Sequence, residues 1–377
     1  MKSRSAIITT SAIATVFSLL IFSMPLIGVF LSGRPVEAFL SFPPLTIYTG
    51  HHPFSWMVFL LYLFLTVGTL ALIAAAAYHR PDGLNPVSSE RKRKLPWWGW
   101  IALAVLALSW FLAWTRFSWF EAFQRLTFIP LWFSYIMIVN ALCVRRTGTC
   151  PMLDTPIFFV ALFPLSAVFW WFFEYLNQFV QNWFYTGVDY GPLAYSLHAS
   201  ISFSTVLPAV YSTCTWISTI EGFQSRFHGL PALNNLPSKL ISVLVLLFAC
   251  AGLVGVSLRP EELFALLWLA PLLILVPLKH LAGKTTLFSA IAQGDWRPAI
   301  SAALAALLCG FFWEMWNYHS LAKWIYSIPY VERFKIFEMP LLGYMGYLPF
   351  GLLCIEVSEL FKDCFSQNGQ GGMNRKT

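Results

Sequence analysis

Charge is what this chain has least of. Asp, Glu, Lys and Arg make up 11% of its 377 residues, against 58% hydrophobic residues, whereas a soluble domain carries roughly a quarter charged residues. No water-soluble fold could hide that much apolar surface. The seven cysteines form no CxxC pair, so neither a disulfide framework nor a zinc site is expected. Phosphate-loop chemistry is missing too. Ala282-Gly283-Lys284-Thr285-Thr286 resembles part of such a loop, but Leu278 stands where its first glycine belongs and no strand precedes it.

What the chain has in quantity is long apolar stretches. A membrane helix needs ~20 mostly apolar residues to cross roughly 30 Å of hydrocarbon. Such windows fall at about 7–31, 55–77, 97–114, 127–143, 156–174, 199–219, 239–257, 262–278, 299–317 and 340–360. None alternates like a barrel strand, and unpaired backbone groups are costly in lipid. The expectation is an all-α, polytopic transmembrane bundle of about ten spans. Ile7 to Leu31 follows Lys2 and Arg4 but is too long for a signal-peptide core, so it reads as an uncleaved first helix.

Basic residues near span ends stay on the cytoplasmic side. With the N-terminus inside, Lys2, Arg4, Arg80, the run Arg91 to Lys94, Arg145, Arg146, Arg226, Lys239, Lys279, Lys284, Arg297, Lys362, Arg375 and Lys376 are inner, 17 of the 24 basic residues. The outer segments hold Arg34, Arg116, Arg125, Arg259, Lys323, Arg333 and Lys335. Both termini are therefore expected in the cytoplasm, with a bacterial inner membrane as the setting. The net charge of +7 is then topogenic, and no nucleic-acid partner is expected. Membrane lipid is the expected partner, and the sequence leaves the oligomeric state open.

The chain also repeats itself. Trp170 to Tyr185 (WWFFEYLNQFVQNWFY) and Phe311 to Tyr326 (FFWEMWNYHSLAKWIY) both carry Glu-x-x-Asn followed by Trp-x-Tyr. Trp183 to Pro208 and Trp324 to Pro349 both span 25 residues, and each proline follows a leucine. Glu121 to Pro130 matches Glu262 to Pro271 at the same offset of about 140. Two tandem four-helix units follow, an arrangement common in membrane proteins. The divisions are a two-helix extension over 1–96, one repeat over 97–222, a second over 223–363 and a polar tail over 364–377. Four helices is an even number, so the copies share one orientation in the membrane.

Acidic residues at an apolar span mark candidate chemistry. Glu174 and Glu314 stand near the outer ends of matched helices, with Asn177 and Asn317 on the same helical face. Glu121 and Glu262 begin the preceding inward helices at the same level, where a helix dipole alone would also favour them. His198 follows Trp183 by 15 residues and Glu338 follows Trp324 by 14, so the two could form an acid/base couple. Glu174, Glu314, Glu338 and His198 are thus the candidate catalytic residues. Asn177, Asn317, Trp171, Trp313, Trp183, Trp324, Glu121 and Glu262 are the candidate binding residues. The histidines (outer His51, His52, His198 and His319; inner His79, His228 and His280) show no metal-ligand spacing. No metal and no cofactor is expected. Interfacial belts explain much of the 18% aromatic content, but Trp170 to Phe173 and Phe311 to Trp313 would wall whatever the glutamates face. Such a wall can stabilise a carbocation or hold an apolar lipid.

These residues resemble the small polytopic lycopene cyclases of bacteria and fungi. That family carries Pro-x-Glu-Glu before aromatic residues, and a Trp-acid-x-Asn-Tyr stretch before Trp-x-Tyr. Pro260-Glu261-Glu262-Leu263-Phe264 looks like the first without its spacer, and Trp313-Glu314, Asn317-Tyr318 and Trp324-Ile325-Tyr326 look like the second. Phe337-Glu338-Met339-Pro340 lies where the family places an acidic motif, with the proline on the other side. The resemblance implies a membrane enzyme that protonates an isoprenoid double bond from a carboxylic acid. Two other classes fit the sequence: a transporter built on the repeat, with Pro130 and Pro271 as matched bends, and a structural subunit of a membrane complex.

Overall fold

The computed structural model describes residues 2–78, 93–234 and 238–365. His79, Arg80, Arg91, Lys92, Arg375, Lys376 and most of the polar tail lie outside the described residues.

The bundle is helical: α1 (Lys2–Leu31), α2 (Trp56–Tyr78), α3 (Trp97–Trp114), α4 (Phe128–Thr147), α5 (Pro156–Val180), α6 (Pro192–Phe203), α7 (Val206–Ser218), α8 (Lys239–Leu258), α9 (Leu266–Leu281), α10 (Arg297–Tyr318) and α11 (Tyr347–Lys362). Their ends follow ordinary rules. Prolines open α5 and α6, where a missing N–H is harmless. The Ser238 side chain caps α8 by accepting from the Ile241 amide at 3.2 Å. Gly148 closes α4 in the left-handed region at φ 88°.

Nine spans among the described residues are long and apolar enough to cross a membrane. This is a multi-pass membrane protein. The windows read from the sequence each contain a helix, with two differences. The window at 199–219 holds α6 and α7, which together run over Pro192–Ser218. The window at 262–278 holds α9, only 16 residues, or ~24 Å at 1.5 Å per residue, less than the hydrocarbon thickness. Pro260–Leu263 adds one short turn before it. Met57, Phe64, Leu72 and Trp97 project outward from α2 and α3, as expected of helices facing lipid.

At one end of the bundle the Lys284 ammonium donates to Thr10 at 2.9 Å and pairs with Asp363 at 2.7 Å. That contact ties the start of α1 to the end of α11. Lys279, which the sequence placed in a loop, lies instead within α9, 4% exposed, paired with Glu356 of α11. At the other end, β1 (Trp183–Thr186) and β2 (Lys323–Tyr326) form an antiparallel ladder with Trp183 opposite Tyr326 and Tyr185 opposite Trp324. The aromatic core lies beneath this ladder. The Trp268 ring packs within 5.5 Å of those of Phe173 and Trp183, and the Trp132 ring within 5.2 Å of those of Trp313 and Trp316.

Candidate functional site

The site begins where two helices stop. At the end of α5, Gln181 adopts a left-handed conformation at φ 53° and its amide donates to the Asn177 carbonyl at 2.6 Å. The Asn177 side chain then grips the departing chain. Its Nδ2 donates to the Trp183 carbonyl at 2.8 Å, and its Oδ1 accepts from the amides of Asn182 at 2.8 Å and Trp183 at 3.4 Å. Asn317 repeats the grip at the end of α10: Nδ2 donates to the Trp324 carbonyl at 2.8 Å and Oδ1 accepts from the Trp324 amide at 2.9 Å. Each asparagine therefore fixes the strand that follows its helix.

That register carries polar side chains back onto the glutamates. Glu174 Oε1 accepts from Tyr185 at 2.6 Å, Trp170 at 2.9 Å and Trp183 at 3.2 Å. Glu314 Oε1 accepts from Tyr347 at 2.7 Å and Tyr326 at 2.8 Å. Tyr347 reaches it because residue 310 is glycine: a Cβ there would collide with the Tyr347 ring, one helical turn below Glu314. Both carboxylates are buried, Glu174 at 1% and Glu314 at 0% exposure. They differ in saturation. Among the described residues, Glu314 Oε2 and the Trp324 indole N–H have no hydrogen-bond partner, whereas the corresponding Trp183 indole is bonded. Burial, with the neighbouring carboxylate adding to it, holds the phenols of Tyr185 and Tyr326 well above their ordinary range. Both remain hydrogen-bond donors at physiological pH.

Between the two half-sites lies a cavity of about 140 Å³. Trp170, Trp183, Trp268, Trp313 and Trp324 wall it, and Tyr185, Tyr326 and Tyr347 stand between it and the carboxylates. An apolar cavity of roughly 150 Å³ accommodates benzene, so this one takes a fragment of about that size. Arg125, His198 and Lys323 also line it.

The structure brings together Trp183, Trp313, Trp324 and His198 on the cavity wall. Glu174 and Glu314 lie behind that wall. Trp171 turns away, donating to Ser200 at 2.9 Å and packing on Phe203. Glu338 pairs with Lys323 at 2.5 Å, while the His198 ring lies 4.9 Å from that of Tyr190, so no bond joins His198 to Glu338 among the described residues. Glu121 and Glu262 are exposed. The neighbour of the latter, Glu261, is the engaged member: it bonds His51 at 2.6 Å and the His52 amide at 3.0 Å.

Sequence reasoning passed over Tyr185, Tyr326, Tyr347, Trp268, Arg125 and Lys323, whereas Trp170 belongs to the aromatic run expected to wall whatever the glutamates face, and it lines the cavity. The Trp-x-Tyr repeat did contain two of the tyrosines. No family model, curated protein or solved structure matches the chain.

Proposed function

We propose that this membrane protein binds an apolar, isoprenoid-like lipid whose end occupies the cavity between the two half-sites. The observation that carries this reading is the cavity itself: an aromatic chamber of about 140 Å³ in which the Tyr185, Tyr326 and Tyr347 hydroxyls are turned onto buried carboxylates. The chamber therefore offers a guest ring faces and few free polar groups. Ring faces attract the cationic carbon that forms when a double bond is protonated. Tyr326 and Tyr347 link Glu314 to the chamber, and among the described residues one Glu314 oxygen has no donor. With Glu314 in its acid form, the carboxyl would supply the proton to the alkene through the Tyr326 or Tyr347 hydroxyl, and the proton that the cation then loses would return to the carboxylate by the same route, in keeping with the cyclase resemblance of Trp313-Glu314 and Asn317.

We also infer that 97–222 and 239–363 are duplicated units in parallel orientation with both termini cytoplasmic. In support, both run helix, short turn, helix, helix and strand in the same order before they end in helix, the first in α6 and α7 and the second in α11. The ladder is self-complementary, since each Trp of Trp-x-Tyr lies opposite the Tyr of the other copy. The site then lies at the outer end of the bilayer, in an inner membrane of bacterial type.

Lipid extraction and mass spectrometry of the purified protein test the reading. A recurring isoprenoid is expected with the natural chain, and its loss with Ala199→Phe, which fills the chamber from α6. Bulk phospholipid alone, identical in both proteins, would refute it.

A further inference from the structure

The cavity has a chemical polarity that an all-hydrocarbon guest does not use. Among the described residues, three basic ones, Arg125, His198 and Lys323, line it, and no acidic one does. Their acidic partners stand outside the wall. Asp189, 83% exposed, takes one guanidinium nitrogen of Arg125 at 2.9 Å, and Glu338 takes Lys323. Among the described residues Arg125 Nε is buried without a hydrogen-bond partner, so its planar donor fork is only partly used. The pair with exposed Asp189 is the weak, solvent-screened kind that a better anion displaces. Tyr190, also on the wall, holds the guanidinium by its ring face at 5.7 Å, and its ring lies 4.9 Å from that of His198. Arg125 is thereby held between the Tyr190 ring on the chamber wall and the exposed Asp189.

We propose that this cluster binds the phosphate of a prenyl phosphate, with Arg125 and Lys323 as the anion-binding residues and His198 beside them. A guanidinium fork and an ammonium suit phosphate oxygens, the first bidentate and the second as a point charge. The aromatic chamber, of a size for about one isoprene unit, takes the hydrocarbon end next to it. The proposal rests on the lipid reading above and adds the headgroup.

Calorimetric titration of the full chain in phosphatidylcholine nanodiscs tests it with three probes: farnesyl phosphate, farnesol and inorganic phosphate. Farnesyl phosphate is expected to bind at least tenfold tighter than farnesol, with an advantage that shrinks as salt rises. Arg125→Gln and Lys323→Gln should each remove most of that advantage, read as the ratio of farnesyl phosphate to farnesol affinity within each variant, so that any change in the chamber itself cancels. Equal binding of farnesol and farnesyl phosphate would overturn the headgroup and leave the lipid reading standing. An advantage that survives both substitutions would overturn the assignment of these residues. Inorganic phosphate binding with no binding of either isoprenoid would make the cluster a free-phosphate site and overturn the lipid reading. Silence from all three probes would overturn both.

Discussion

The ion pair between Lys279 and Glu356 makes the sharpest energetic prediction. Its side chains are 5% and 1% exposed, and the Lys279 ammonium bonds both the Glu356 carboxylate and, at 3.4 Å, the Glu356 carbonyl. The other carboxylate oxygen accepts the Leu287 amide at 2.6 Å. Lys279→Met strands a buried carboxylate with a single donor, and removing one member of a buried pair costs about 3–5 kcal/mol. Glu356→Leu strands the ammonium at similar cost and also orphans the Leu287 amide, which adds about 1–3 kcal/mol. The double variant removes both charges and leaves only the amide, so its loss should fall to about 1–3 kcal/mol. Unfolding of the four proteins in mixed micelles closes a double-mutant cycle with a coupling of at least ~3 kcal/mol. Charged residues within a membrane are functional candidates by default, so lipid content is measured on the same samples. A double variant that is stable and still lipid-loaded makes the pair a fastener between α9 and α11. Lys279→Met within about 1 kcal/mol of the natural protein, or a double variant worse than either single one, would refute the reasoning.

Asn317→Ala removes the side chain that satisfies the amide and carbonyl of Trp324, and should destabilise by about 1–3 kcal/mol for each group left without a partner. Asn177→Ala strands three such contacts and should cost more; equal melting temperatures for the two variants would contradict the count. Glu261 titrates as a clasp on the outer loop. Partial burial alone would raise its pKa, but the bonds from His51 and His52 outweigh burial and hold it below the ordinary value of 4.5. Its folded pKa being the lower one, the stabilisation is full above that ordinary value and fades as pH falls through the folded value. Melting temperatures of the natural protein and Glu261→Gln should therefore differ at neutral pH and converge in strong acid. A gap that is constant from pH 3 to pH 7 would show that the clasp is not electrostatic.

How much of this was legible in the sequence depends on whether a feature is set by the local chain or by its neighbours. The helices were legible because lipid demands long apolar runs, and α3 falls over the expected 97–114. Glu174 with Asn177, and Glu314 with Asn317, were legible because i and i+3 share a helical face. What each asparagine does was not, since its partners, the backbones of Trp183 and Trp324, are reached only after the helix has ended and the chain has turned. Tyr347 was further from view. Its hydroxyl reaches Glu314 from another helix only because Gly310 clears the way, a fact of helix packing that no motif spells. Lys279 misled for a related reason. It stands at the end of an apolar run, where loop cations are expected, and only the approach of α11 turns it into a buried partner for Glu356. The cavity is the extreme case. Its wall takes Trp170 and Trp183 from one half of the chain and Trp268, Trp313 and Trp324 from the other. Neither half builds it alone, so the unit on which function should be tested is the paired structure. Any substitution that unzips the β1–β2 ladder should empty the chamber while leaving both carboxylates in place.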